Sequence, residues 1–167
     1  YQDLALADNL DIVENMFLGR EPLRLGLLDE VAMEVAARRT LTDLSVTTVR
    51  SIRQPVGSLS GGQRQAVAVA RAVLEDASLV IMDEPTAALG VSQTAMVLNL
   101  VRRLRDNGVS VLLISHNLND VFEVADRITA LFLGRVAGTA RVSDIDRQQA
   151  VELITTGTLT GSSPAAT

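Results

Sequence analysis

The 167-residue chain has no lysine, no cysteine and no tryptophan, and its aromatic content is only 2%. Each absence excludes something. Without cysteine there are no disulfides and no thiolate-bound metals, a usage that fits a cytosolic protein. Without lysine, all 15 basic residues are Arg. A phosphate-binding loop of the Gly-x-x-x-x-Gly-Lys type therefore does not lie within these residues. With few aromatics, the core must rest on Leu, Val, Ile and Ala. No apolar run reaches the roughly 20 residues that span a bilayer. No signal peptide is read at the start, so membrane association is expected through a partner. Excess positive charge is also missing. The net charge is −5 and the sequence pI is about 4.8. That excludes the basic footprint of a nucleic-acid binder. The first residue is Tyr1, not Met, and the opening carries no helix start signal. The expectation is a chain cut on its N-terminal side.

What is present is enough for a core: hydrophobic residues make up 47% of the chain and charged residues 21%, an ordinary globular balance. Apolar residues Leu10, Val13, Phe17 and Leu18 have helical spacing, with Gly19 placed to end the helix. Pro22 and Gly26 mark a connector. Asp29 opens a second helix, with Val31, Val35, Leu41 and Leu44 as its apolar side. Residues 45–58 read as an irregular connector. From Gly61 the pattern changes, and Arg64 to Leu74 reads as an Ala/Val-rich helix, apolar on nearly all sides. Leu79–Met82 and Val109–Ile114 read as short buried parallel strands. The helix over 92–107 lies between them and is capped by Gly108. A helix around Leu118–Ala125 follows. Next comes a hairpin of 128–133 with 136–140 about Gly134-Arg135, then an amphipathic helix over 143–155. Strand and helix alternate, which predicts an α/β fold with a parallel sheet and right-handed crossovers, beside a small helical subdomain. The expected division is 1–60 as helical subdomain, 61–155 as the α/β core, and 156–167 as a disordered Ser/Thr/Gly-rich tail.

Three short stretches carry chemistry. In Ser60-Gly61-Gly62-Gln63 the glycines let the backbone approach an anion, and the helix that follows aims its N-terminal amides at the same place. The ordinary alternative is a serine N-cap with a flexible turn. In Leu79-Val80-Ile81-Met82-Asp83-Glu84 the carboxylates stand at the carboxyl end of a strand, where α/β sheets bind ligands. Asp83 is placed to hold Mg²⁺, and Glu84 to orient or deprotonate a water. The alternative is an acidic turn in solvent. His116, the single histidine, follows the second strand and could hydrogen-bond a terminal phosphate. A capping or surface histidine is the alternative. Together, in this order and on these elements, the three weigh against the alternatives.

The residues Leu59-Ser60-Gly61-Gly62-Gln63-Arg64-Gln65 resemble the signature motif of ABC ATPases. Leu79 to Asp83 resembles their Walker B strand, Glu84 their catalytic glutamate and His116 their switch histidine. Gln2 resembles the Q-loop glutamine, which in the family reaches metal and nucleotide and senses the transmembrane subunit. The resemblance runs from Gln2 to about Ala140. The entry segment, Tyr1–Leu4 through Asn15–Glu21, is similar to ATPases of monosaccharide importers of the ribose and fructose type. Two departures stand out: the Walker A loop is missing, and the aspartate expected after Ala87-Ala88-Leu89 is Gly90.

The resemblance implies a partial P-loop NTPase fold. It also implies ATP and Mg²⁺ as ligands and a head-to-tail dimer sandwiching two nucleotides. Ser60, Gly61, Gly62 and Gln63 would then act on the partner protomer's ATP. Asp83, Glu84 and His116 would act on their own, with Gln2 at the metal and nucleotide. It further implies transmembrane permease subunits, a sugar-binding protein acting indirectly, and a place on the cytoplasmic face of the membrane. The missing loop and the missing upstream strands lead to the expectation that the isolated chain hydrolyses ATP negligibly. They also leave an apolar edge and face of the sheet exposed. A non-catalytic truncated product that retains only docking contacts is the alternative. A soluble ABC ATPase of translation or DNA repair is disfavoured by the acidic pI and the entry segment.

Overall fold

Local capping chemistry sets where the helices begin. In the computed structural model, which describes residues 4–87 and 89–158, Asp11 caps α1 (Ile12–Phe17) through a reciprocal pair. Its carboxylate accepts from the Glu14 amide, and the Glu14 side chain accepts from the Asp11 amide, both at 2.8 Å. That satisfies two amides the helix cannot use. Asp29 caps α2 (Glu30–Asp43) by accepting from Ala32 N. Ser60 and Gln63 form the same reciprocal box at the start of α3 (Gly61–Leu74).

The chain divides into two compact units, one ending at His116 and the other starting at Asn117. In the first, α1 and α2 pack on α3, and α3 packs on α4 (Val91–Asp106). Strand β3 (Leu79–Asp83) pairs in parallel with β4 (Ser110–Ile114), in the register Leu79↔Ser110 to Asp83↔Ile114, with α4 as the crossover between them. The core is aliphatic, as the lack of aromatics requires. Ile12, Val13, Val56, Val67, Val97 and Leu104 are its largest fully buried apolar side chains.

Three expectations are corrected here. The connector at Pro22–Gly26 contains a small hairpin, β1 (Leu23–Arg24) with β2 (Leu27–Leu28). Leu25 and Gly26 occupy its two central positions with φ of 53° and 82°, the signature of a primed turn. The apolar side of α2 is not the one built on Val31 and Val35, which are 75% and 62% exposed. The buried stripe runs through Met33, Ala37, Thr40, Leu41 and Leu44. These fall at i, i+4, i+7, i+8 and i+11, and the valines two residues off that stripe face the other way. Strands β3 and β4 are buried on one face only. Val80 and Met82 point inward, while Leu79, Ile81, Leu112 and Ile114 form an open apolar face.

In the second unit α5 (Leu118–Val124) is capped by Asn117. Strands β5 (Arg127–Phe132) and β6 (Arg135–Arg141) form an antiparallel hairpin with a bulge between Ala130 and Leu131. Helix α6 (Arg147–Thr156) packs on β5, around Ile128, Ala130, Ile145, Ala150 and Leu153. The hairpin turn is Leu133-Gly134, with φ of 47° and 76°, one residue earlier than Gly134-Arg135. Residues 142–144 form a short 3-10 turn, so α6 starts at Arg147, where Asp146 and Gln149 supply the cap. The expected tail lies, from residue 159 on, outside the described residues.

Candidate functional site

The first part of the site is the start of α3. Gln63 Oε1 accepts from Ser60 N at 2.9 Å, and Gln63 Nε2 donates to Thr48 O at 2.7 Å. Both ends of the Gln63 side chain are therefore engaged within the chain, tying the turn to the connector before it. Ser60 Oγ accepts from Gln63 N at 3.4 Å, which leaves its hydroxyl hydrogen to point elsewhere. The cap uses the Gln63 amide. The amides of Gly61 and Gly62, in the first turn, have no intrahelical acceptor. Both glycines are closely packed, so that a Cβ at either would have to push aside the end of a flexible side chain. A Cβ on Gly62 would stand 2.5 Å from Met96 Cε, and one on Gly61 would stand 2.9 Å from Leu89 Cδ2. Gly90, where an aspartate is expected, is the N-cap of α4 in open space. An aspartate side chain would fit there.

The second part stands at the carboxyl ends of β3 and β4. Strand pairing places them side by side, since Glu84 N donates to Ile114 O at 2.9 Å. Glu84 takes a φ of 48°, a strained left-handed value for this residue type. Its carboxylate meets His116 at two points. Oε1 accepts from His116 N at 3.1 Å, and Oε2 lies 2.8 Å from His116 Nδ1. Oε2 is buried with no other hydrogen-bond partner among the described residues. The His116 side chain is otherwise 77% exposed, so one face of the ring remains open to a ligand.

Asp83 and Glu84 line a cleft of about 620 Å³ together with Leu4, Leu6, Gly61 and Arg64. Asp83 is exposed on that wall and pairs with no basic side chain among the described residues. No group of three or more metal-ligating side chains forms among the described residues. Magnesium does not require one. It is held by one or two carboxylates, with waters and substrate phosphates completing its shell. A lone accessible carboxylate at a strand end fits that role.

The structure thus brings Glu84 to His116, and Asp83 and Glu84 to the cleft that Gly61 also lines. Ser60, Gly62 and Gln63 lie off that cleft's wall, and Gln2 lies outside the described residues. Sequence reasoning missed Thr48, whose carbonyl holds Gln63 across 15 positions. It also missed Met96 and Leu89 behind the glycines. No sequence signal marks them, because each acts by position alone.

The family model for ABC transporters matches residues 1–87. The chain belongs to the ABC transporter family. It is similar to the fructose import ATP-binding protein FrcA of Rhizobium meliloti, with 48% identity over 93% of the chain and 62% of the relative. It is also similar to the xylose/arabinose import ATP-binding protein XylG of Sulfolobus acidocaldarius, with 42% identity over 93% of the chain and 61% of the relative. With the ribose import ATP-binding protein RbsA of Bacillus licheniformis it shares 36% identity over 91% of the chain and 31% of the relative. Among solved structures, the ATP-binding cassette MJ0796, a dimer bound to ADP and Pi in a post-hydrolysis state, matches with a TM-score of 0.66 and 25% identity. That match covers 85% of this chain and 61% of that one. The cassette MJ1267 matches with a TM-score of 0.71 and 24% identity, over 87% of this chain and 63% of that one. The fold is therefore the ABC ATPase fold, a P-loop NTPase sheet flanked by helices. This ABC-family chain spans less than two thirds of the relatives and structures it matches.

Proposed function

We propose that this chain is the signature-bearing part of the ATP-hydrolysing subunit of an ABC importer for a monosaccharide. The observation that carries the reading is the Glu84–His116 pair at the ends of two parallel strands, beside the exposed Asp83 carboxylate. Asp83 would hold Mg²⁺, which when bound neutralises charge on the nucleotide's β- and γ-phosphates. Glu84 accepts the proton of the attacking water. His116 keeps the Glu84 carboxylate oriented, and its open ring face offers a hydrogen bond to a terminal phosphate. Catalysis by such a site is positioning and electrostatics. The Ser60 hydroxyl and the Gly61 and Gly62 amides would meet the nucleotide of a second protomer. Gln63 braces that turn from within. Gln2 would reach metal and nucleotide. In this reading residues 1–60 form the helical subdomain and 61–155 the catalytic core. Transmembrane permease subunits would be its partners, together with a sugar-binding protein acting through them. The subunit would then be peripheral, on the cytoplasmic side. No helix among the described residues is long and apolar enough to cross a membrane.

The test is ATP turnover by the intact subunit with its permease, with and without Glu84→Gln. Loss of a general base costs about a hundredfold or more. A Glu84→Gln protein that turns over ATP at the unsubstituted rate sinks the assignment of Glu84. An unsubstituted protein that turns over none sinks the reading as a whole.

A further inference from the structure

The chain's four methionines are not placed alike. Met16, Met33 and Met82 are 3%, 4% and 2% exposed, whereas Met96 of α4 is half-buried. Met96 lines an open groove of about 650 Å³ between α3, α4 and the stretch 44–48, with Gly62 in the same wall. Two contacts join it to the glycine turn. Its Cε methyl lies behind Gly62, where an added Cβ would fall 2.5 Å from it. Its sulfur accepts from Thr48 Oγ1 at 3.4 Å. The same Thr48 offers its carbonyl to Gln63 Nε2 at 2.7 Å, and Gln63 Oε1 accepts from Ser60 N at 2.9 Å. A run of hydrogen bonds thus leads from the Met96 sulfur to the Ser60 backbone. The thioether at its head is a weak acceptor and a soft, adaptable filler.

We propose that Met96 is an oxidation site whose thioether supports the Ser60-Gly61-Gly62 turn, and that a peroxide withdraws this support. The proposal rests on the function proposed above. In the step, the peroxide O–O bond breaks and one of its oxygens bonds to Met96 Sδ. The sulfur gives up an electron pair, the peroxide is reduced by it, and the other oxygen leaves as water. The product is methionine sulfoxide, which a reductase returns to the thioether. Access favours Met96, because the other three methionines expose almost no surface. Oxidation turns an apolar atom into a polar one and adds an oxygen that must be housed. The methyl has little space on its Gly62 side, so the group shifts and Thr48 moves with its hydroxyl bond. Thr48 holds the Gln63 side chain through its carbonyl, and the displacement reaches the Ser60 amide. Met96 touches no reacting atom. It is a positioning residue for the turn that meets the nucleotide of the second protomer.

The test exposes the intact subunit with its permease to hydrogen peroxide in the absence of nucleotide. Peptide mass spectrometry follows oxygen uptake at each methionine, and ATP turnover and the thermal midpoint are read on the same samples. Met96 should gain oxygen ahead of Met16, Met33 and Met82. As it does, kcat should fall about tenfold, since small misplacements around a reacting group are costly. Methionine sulfoxide reductases that act on both epimers should restore the peptide mass and the rate together. Met96→Leu keeps an apolar side chain of similar volume without the sulfur. It should hold most of its own untreated rate through the same exposure. If that variant does not fold, the reductase rescue of the unsubstituted protein decides the matter. Uptake at Met96 no faster than at the buried methionines, full turnover with Met96 oxidised, or a rate that stays low once Met96 is reduced again would each overturn the proposal. So would a Met96→Leu protein that loses as much as the unsubstituted one, or losses that follow a fallen thermal midpoint. Turnover absent from the untreated protein overturns the proposed function and takes this inference with it. Turnover present but indifferent to the state of Met96 overturns this inference alone.

Discussion

Asn15 is the most informative position at which to perturb the first unit. It is fully buried, and both ends of its side-chain amide are hydrogen-bonded. Oδ1 accepts from Ala7 N at 2.7 Å, and Nδ2 donates to the carbonyls of Ala7, Leu10 and Asp11 at 3.0, 3.2 and 2.9 Å. Asn15→Ala does not orphan these groups equally. The three carbonyls keep other donors, because Leu10 N serves Ala7 O, Val56 N serves Leu10 O, and Asn15 N serves Asp11 O. The Ala7 amide keeps none among the described residues. One unpaired, half-buried donor falls toward the lower end of the range of about 1–3 kcal/mol for an unsatisfied donor, and three weakened acceptors add a smaller sum, so the expected loss is about 1–3 kcal/mol. For a protein of 150–250 residues that corresponds to about 2–12 °C in the unfolding midpoint. Asn15→Asp should be worse, although it is nearly isosteric. Its carboxylate still accepts from Ala7 N but turns an anionic oxygen toward three carbonyls, an uncompensated buried charge that costs about 3–5 kcal/mol. Thermal and urea unfolding of the intact subunit measure both variants. A midpoint within a degree for Asn15→Ala, or an Asn15→Asp protein as stable as Asn15→Ala, would refute this account of the hydrogen-bond network.

Other outcomes follow from the same geometry. Gly62→Val should destabilise by about 1–3 kcal/mol, the usual range for overpacking, because its Cβ falls 2.5 Å from Met96 Cε. Adding Met96→Ala should recover part of that loss in urea unfolding, and no recovery would place the strain elsewhere. Leu25 is 99% exposed in a left-handed turn position with φ of 53°. Leu25→Asn should therefore stabilise by about 0.5–1 kcal/mol, seen as a raised midpoint without loss of turnover.

Much of the fold was legible because capping and periodicity are local. Asp29 and Ser60 each announce a helix through side chains that satisfy the amides just ahead of them. The strands at 79–83 and 110–114 stand out as apolar runs ending in polar residues. The hairpin at 23–28 was not legible, because its turn uses Leu25 where a left-handed residue is expected to be Gly or Asn. The buried face of α2 was misread because Val31 and Val35 look like core residues. Which stripe faces inward depends on where α1 and α3 lie. Of the site, the residue types and their order were readable from Gly61, Asp83, Glu84 and His116. The partners of Gln63 and Arg64 were not, since Thr48 and Asp8 carry no pattern that marks them.

By itself, the sequence determined the chemistry available. It has no lysine for a phosphate loop, two glycines before a helix, two carboxylates at one strand end and a histidine after the next strand. Only the tertiary structure decided how these meet. Parallel pairing of β3 with β4 brings residues 32 positions apart into contact and sets the Glu84 carboxylate against His116. Backbone hydrogen bonds join residues 8–13 to residues 52–57. The reason is physical. Capping and strand formation are decided within a few residues, whereas hydrogen bonds and ion pairs across tens of residues exist only once the elements have packed.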